Sequence, residues 1–401
     1  MEPFSAVQIS EHVWWVGAID WTVRNFHGYL TSRGTTYNAY LILGDPVTLV
    51  DTVKRPFRDE MLARVASVVD PLRIQAIVSH HAEMDHSGCL PDVIRAVQPE
   101  KVYASRNGVA ALGRHFDIGH EITPVGDGET LSLGDLSLTF LETRMLHWPD
   151  SMISYLAEDR LVFSQDGFGM HLASCERFDD QLPPEVLRYE AAKYFANILM
   201  PLSRFVDKLY ARLDELKLDI ALIAPDHGPV WRGDVAGILE RWRAWAEQKP
   251  ARKAVVVYDT MWQSTETMAR AIADGIAAGG AAVVAMPLSA AHRSDVATEI
   301  LDAGALLVGS PTINNEMFPT VADCLTYLKG LRPKNLIGAA FGSCGWSGEA
   351  PKHVAQTLGE MGVELVAEPL RIKYVPTSDD LLECRKLGEL VAARLSALCP
   401  E

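Results

Sequence analysis

The chain has 401 residues but only six cysteines, Cys89, Cys175, Cys324, Cys344, Cys384 and Cys399, and no C-x-x-C pair among them. That spacing excludes a rubredoxin-type or ferredoxin-type iron site within the chain and fits free thiols in a reducing compartment. Positive charge is scarce as well: 37 Lys and Arg against 52 Asp and Glu leave a formal net charge of −15. Nucleic-acid binding needs clustered cations that displace counterions, so that class of partner is excluded. The most apolar stretch, Ala271 to Ala291, is interrupted by Asp274, glycines and Pro287, and no basic-then-apolar leader opens the chain. Neither a membrane role nor a secretory signal is expected, and the reading is a soluble, cytoplasmic protein. With 22 prolines and 29 glycines, collagen-like and low-complexity classes drop out, while 48% hydrophobic residues suffice for two globular domains. Histidine thins out along the chain: ten of twelve precede residue 250, leaving His292 and His353 after it. Histidine chemistry therefore belongs to the first part.

The Trp-rich stretch RWRAWAEQKPARK, ending near Pro250, precedes the apolar run KAVVVYDT and marks a boundary. The expected domains are 1–250 and 251–401. In the first, apolar runs such as VTLVDT, IQAIVSH, LSLTFLET, RLVFSQD and IALIAPDHG read as strands, several ending in His, Asp or Glu. In the second, strand and helix alternate regularly, which predicts a five-stranded parallel sheet wrapped on both faces, with ligands beyond its carboxyl ends.

After IQAIVS come His80, His81, Ala82, Glu83, Met84, Asp85 and His86. Alternate residues from 81 to 85 point to one side of an extended turn, so four potential ligands fall within six residues. Buried together, these imidazoles and carboxylates call for neutralising cations. His80 is out of register and is read as a solvent or backbone contact. The cluster resembles the H-x-H-x-D-H signature of the metallo-β-lactamase fold with Glu83 in place of the second histidine. Together with MLHWPDSM, VFSQDGFG, APDHG and FGSCGWSGE, it resembles the flavodiiron proteins over the whole chain. The resemblance implies an N-terminal metallo-β-lactamase-like αββα sandwich followed by a flavodoxin-like doubly wound sheet. It also implies that His81, Glu83 and His147 hold one non-haem iron, that Asp85, His86 and His227 hold the other, and that Asp166 bridges them. His86 is read either as a ligand or as a ring outside the coordination shell with water in its place. Asp51, ending VTLVD, matches a carboxylate that orients a ligating imidazole, or is a turn residue. His27, Tyr194 and Trp148, with Phe26, match the family's pocket beside the metals; Tyr194 is alternatively core.

The second domain's strand ends carry three polar loops. Thr260, Met261, Trp262, Gln263, Ser264 and Thr265 precede a helix, and hydroxyls and amides there form either a neutral phosphate cradle or an ordinary helix cap. Ser310, Pro311, Thr312, Ile313, Asn314 and Asn315 follow the third strand; Phe341, Gly342, Ser343, Cys344, Gly345, Trp346 and Ser347 follow the fourth. The set resembles the FMN loops of flavodoxin, which implies phosphate binding by the first loop and enclosure of the ring by the others. Trp262 and Trp346 are candidates for stacking on the flavin, or core residues. No G-x-x-x-x-G-K-[ST] or G-x-G-x-x-G motif competes for that edge.

The function so implied is gas reduction, O2 to water and/or NO to N2O, with electrons from a rubredoxin or similar donor passing through FMN to a di-iron centre. The resemblance further implies a head-to-tail homodimer, with pairing into tetramers open. A dinuclear zinc hydrolase fused to a flavodoxin-like module is the rival from another class. A pure electron carrier is the other, and it would require a missing ligand.

Overall fold

The computed structural model describes residues 4–399. The chain divides into two units, one running up to Tyr194 and including Leu202–Arg243, the other taking Phe195–Pro201 and everything from Ala244 onward.

In the first unit, seven strands form one sheet in the order Val7–Gln8, Val13–Trp15, Tyr40–Ile42, Thr48–Val50, Ala76–Ser79, Lys101–Ser105 and Ile122–Val125. Its first four strands pair antiparallel and the rest parallel. Five strands form the second sheet, in the order Thr130–Leu133, Leu136–Glu142, Met152–Leu156, Leu161–Gln165 and Leu222–Pro225. Alternation along the strands splits their side chains between two cores. Tyr40, Ile42, Val50 and Val78 join Phe140, Met152 and Phe163 between the sheets. Their neighbours Leu41, Leu49 and Ile77 turn outward to Val65, Leu90, Val93 and Leu112. The latter come from helices Arg58–Ala66, Leu90–Val97 and Arg106–His115. Each such fully buried side chain contributes about 1.5–3 kcal/mol. Two-sided burial is why these strands read as continuous apolar runs. The result is the layered αββα sandwich.

The second unit is a parallel sheet in the order Ala282–Pro287, Ala251–Tyr258, Ala303–Gly309, Ile337–Cys344, the first-to-second swap of a doubly wound fold. A fifth position is shared by two short strands, Glu364–Leu365 and Leu370–Lys373, both paired to Ile337–Cys344. The expected five-stranded sheet thus has five positions filled by six segments, because residues 366–369 bend out of the ladder between Leu365, paired with Gly338, and Leu370, paired with Phe341. Helices Ser264–Ala278 and Ser378–Leu398 cover one face with Met268, Ile272, Val391 and Leu395. Their close approach depends on Gly275 and Gly388: a Cβ on Gly388 would lie 2.1 Å from the Ile272 carbonyl oxygen. Among the described residues no helix is long and apolar enough to cross a membrane.

Candidate metal centre and cofactor cleft

Strand ends assemble the first site. Ala76–Ser79 leads into an extended stretch, and one helical turn, Met84–Ser87, then reverses the chain, so His81, Glu83, Asp85 and His86 fold around a common point. Leu161–Gln165 and Leu222–Pro225 run parallel with Gln165 opposite Pro225, so Asp166 and residues 226–227 emerge side by side. His147 Nε2 lies 2.8 Å from Asp166 Oδ2 and 3.0 Å from Glu83 Oε2. His81 Nε2 lies 3.4 Å from the same Asp166 oxygen. The other oxygen, Oδ1, faces His86 Nε2 at 3.4 Å and His227 Nε2 at 3.6 Å, and Asp85 Oδ2 lies 3.2 Å from His227 Nε2. Two convergent groups result, His81, Glu83 and His147 beside Asp85, His86 and His227, with one Asp166 oxygen turned to each.

His147 Nε2 pairs with Asp166 Oδ2, while other atoms of the set converge without pairing. His81 Nε2, both Asp85 oxygens and Asp166 Oδ1 are buried and make no hydrogen bond. Buried polar groups are nearly always satisfied, so a donor set of this kind, aimed at a common point, fits a bound cation. Imidazoles and carboxylates without thiolate suit iron, zinc or manganese by chemistry alone.

Burial pushes the Asp166 carboxyl up, but the His81 ring beside it, the hydrogen bond from His147 and the nearby His86 ring hold it well below the usual range. Glu83 is likewise lowered against burial by His147 and His81. Burial opposes charge on His147, yet hydrogen bonds to Asp166 and Glu83 raise it to about 9. The carboxylates hold their charge and draw positive charge toward them.

The surroundings differ from expectation in two places. His80 is buried, not a solvent contact: its ring Nδ1 lies 2.5 Å from Asp51 Oδ2 and its Nε2 2.9 Å from Ser154 Oγ. Asp51 therefore orients His80 and not a ring of the convergent set; it also accepts from the His80 backbone N–H. Fully buried, it needs partners for both oxygens, and the end of the neighbouring strand presents His80 to it. The sequence reading missed Asp150, which accepts from Ala82 N–H at 2.8 Å, and Thr36, whose carbonyl accepts from His227 Nδ1 at 2.6 Å. It also missed His171 and Asp226. The His171 ring sits 4.7 Å from that of His227, and burial, aided by His227, drives its pKa well below the ordinary value. Asp226 is fully buried, and burial and Asp51 raise its carboxyl well above the usual range. Its place directly before His227 at a strand end was the available signal.

Of the pocket residues, His27 is exposed, with Nε2 3.9 Å from Glu83 Oε1, at a 740 Å³ cavity that also reaches Phe26, Lys54, Asp85 and His115. The Trp148 ring lies 6.4 Å from that of His81. Tyr194 is buried, its ring 5.1 Å from His171 and 6.1 Å from His227; burial first, then Asp166, Glu83 and Asp85, raise its phenol.

In the second unit a 670 Å³ cleft opens at the sheet's carboxyl edge, lined by Met261, Trp262, Ser264, residues 311–315 and residues 343–347. Trp262 and Trp346 are 89% and 84% exposed, so neither is a core residue. Helix Ser264–Ala278 begins there without a side-chain cap, behind Gln263 at φ 66°, leaving its first N–H groups open to an anion. Thr260 Oγ1 is buried without a hydrogen bond. An aromatic slot beside an uncapped helix start fits a flavin with a phosphate tail. Several expected residues do not line the cleft. Phe341 belongs to the sheet core. Thr265 bonds Ser343 Oγ at 3.0 Å, Ser310 accepts from Phe318 N–H, and Gly342 packs so close that a Cβ would lie 1.9 Å from the Ser310 carbonyl oxygen. Thr260 and Gln263 flank the cleft without lining it. Sequence position along a loop does not separate inward from outward residues. Conversely Tyr374 and Val375, beyond Leu370–Lys373, line the cleft unforeseen.

Comparison with known proteins agrees with this architecture. Residues 35–228 match the ODP family beta lactamase model and residues 256–388 the flavodoxin model. The chain is 46% identical to the nitric oxide reductase of Moorella thermoacetica over 97% of its own length and 99% of that protein's. The rubredoxin oxygen:oxidoreductase structure from Desulfovibrio gigas superposes with a TM-score of 0.95 at 44% identity, covering 98% of this chain and 99% of that one. The flavodiiron protein of Giardia intestinalis does so at 0.96 and 32% identity, covering 100% and 98%. A β-lactamase-like module with a buried His and carboxylate centre, followed by a flavodoxin module, defines an oxidoreductase. The chain belongs to the flavodiiron protein family.

Proposed function

We propose that this protein reduces O2 to water and/or NO to N2O with electrons from a rubredoxin or similar one-electron donor. The observation that carries this reading is the pair of convergent ligand groups meeting at Asp166, one carboxylate oxygen turned to each. Its support from relatives is that two of them are named for the reduction of nitric oxide and for oxygen reduction with rubredoxin. In this reading His81, Glu83 and His147 would hold one iron and Asp85, His86 and His227 the other, with Asp166 offering one oxygen to each. The cleft around Trp262, Asn314 and Trp346 would hold FMN, and the N–H groups at Ser264, Thr265 and Glu266 would meet its phosphate. When bound, the flavin and the two irons supply one-electron relay and storage of several electrons at the gas site.

The chain's own residues do the rest. Asp166 and the surrounding carboxylates balance cationic charge in a largely buried site that one cavity connects to solvent. Phe26 lines the cavity beside Glu83 and Asp85, Trp148 stands against His81, and the Tyr194 phenol, kept protonated by burial and neighbouring carboxylates, remains a neutral hydroxyl beside His171 and His227. His27, at the cavity mouth, can relay protons from solvent. We further assign residues 1–250 to the di-iron domain and 251–401 to the FMN domain, in a cytoplasmic head-to-tail homodimer in which the flavin of one subunit serves the metals of the other.

Metal and FMN analysis of the purified protein, with anaerobic measurement of O2 and NO consumption under reduced rubredoxin, tests this reading. It expects two irons and one FMN per chain and turnover of at least one gas. Two zincs, no iron and no gas consumption would return the zinc hydrolase.

A further inference from the structure

The four imidazoles of the centre all present Nε2 to it, and their outer nitrogens differ in what they meet. His227 donates its Nδ1–H to the Thr36 carbonyl. His81 Nδ1 and His86 Nδ1 are buried and make no hydrogen bond. Both face a single group, Asp226 Oδ2, at 4.0 Å and 3.7 Å, and that oxygen is itself buried and without a hydrogen bond. Two donors and one acceptor thus lie opposite one another, roughly 0.5–0.8 Å beyond hydrogen-bond range, all unsatisfied. Leaving such groups unpaired in the interior is costly, and a small swing of each ring satisfies them together.

The carboxylate is well anchored for that task. Asp226 donates its N–H to the Gln165 carbonyl at 2.8 Å, and its own carbonyl accepts from Asn38 N–H at 2.8 Å. Its backbone is held on both sides while its side chain points between the two rings. A histidine that binds a metal through one nitrogen almost always donates its other N–H to a carboxylate or carbonyl, which fixes the tautomer and aims the ring. Thr36 meets that need for His227. For His81 and His86 the carboxylate in place is Asp226.

We propose that Asp226 is a positioning residue shared by the two halves of the centre: one carboxylate takes the outer N–H of His81 in the first group and of His86 in the second, and so aims both ligands. The proposal rests on the di-iron reading above and adds that the two iron positions are linked through the protein by one residue, besides the Asp166 bridge.

The test uses full-length Asp226→Asn and Asp226→Ala proteins loaded anaerobically with iron(II), titrated against a chromophoric chelator and examined by Mössbauer spectroscopy, with thermal unfolding recorded in parallel. The Asn variant is expected to unfold at the wild-type temperature, to lose about 10- to 100-fold in affinity for both irons, and to show altered signals for both. The Ala variant is expected to lose more; if it does not fold, the Asn variant decides. Wild-type affinity and unchanged spectra in the Asn variant would overturn the proposal, as would an effect confined to one iron. A wild-type chain that takes up no iron would overturn the metal reading and this proposal with it, whereas two irons in the wild type and an indifferent Asn variant would overturn this proposal alone.

Discussion

The two sites of this protein are built on opposite principles. The first gathers buried ionisable side chains: Glu83, Asp85, Asp166 and Asp226 stand among four imidazoles. The second is nearly neutral and open, made of exposed indoles, small side chains and the N–H groups of an uncapped helix. A charged site in a low dielectric is unstable until each charge has a partner, so its residue types and positions are tightly constrained. A site made from backbone amides and ring faces tolerates many residues, provided the loops keep their course. Losing one side chain should therefore be severe in the first and graded in the second.

The largest expected effect follows from Asp166→Ala. Removing the residue that faces both groups is expected to strip iron below one atom per chain and to lower gas consumption at least about 100-fold, while FMN content stays at the wild-type level. Metal analysis and flavin absorbance on the same sample check it. Concurrent loss of FMN would break the comparison by showing that the sites depend on each other.

A smaller effect is expected in the cleft. Trp346→Ala should weaken FMN binding about 10- to 100-fold, and Tyr374→Ala less than about 10-fold, with iron content unchanged in both; fluorescence titration of the flavin-free protein measures this. An unaltered Kd in the Trp346 variant would remove the indole from the flavin contacts.

The smallest effect concerns histidine and carboxylate paired near the surface of the first unit. Asp159 accepts from the Ser10 hydroxyl and from His12 N–H, and lies 2.6 Å from His12 Nδ1. The Asp159 hydrogen bond raises the His12 pKa; burial pushes Asp159 up, but Ser10 and His12 bring it below the usual range. A raised histidine pKa stabilises fully below the unfolded value of 6.5 and is lost as pH rises through the folded value; the lowered Asp159 stabilises above 3.8 and is lost as pH falls through its folded value. His12→Gln should thus lower stability by under about 1 kcal/mol near pH 5.5 and by progressively less toward pH 9, as followed by urea unfolding. A penalty that grows with pH would contradict the pairing. The same residue types that are indispensable when buried around Asp166 are worth little here, because the His12 ring is partly open to solvent.

Much of the first site was legible because its chemistry demands rare residues in a rare order. His81, Glu83, Asp85 and His86 crowd one strand end, and His147, Asp166 and His227 close other short apolar runs. Those seven side chains do converge. Their support was not legible. Asp51 stands beside His80 because Thr48–Val50 and Ala76–Ser79 are neighbours in a parallel ladder, and Asp226 meets His81 and His86 from across the two sheets. Such pairings join residues 29 positions apart in the first case and more than a hundred apart in the second, and leave no local pattern. In the cleft the loops could be located but not their facing: Phe341 and Ser310 are buried, and Tyr374 enters from just beyond the short strand Leu370–Lys373.

By itself the sequence determined the order of the two modules, the strand ends that carry polar residues and the set of candidate ligands, because apolar periodicity and residue chemistry are local properties. Only the tertiary structure decided which oxygen of Asp166 faces which group, which carboxylate serves which imidazole and which loop residues reach the cleft. Those depend on register between strands and on the direction a side chain takes when the chain around it is packed, and neither is written in any single stretch of residues.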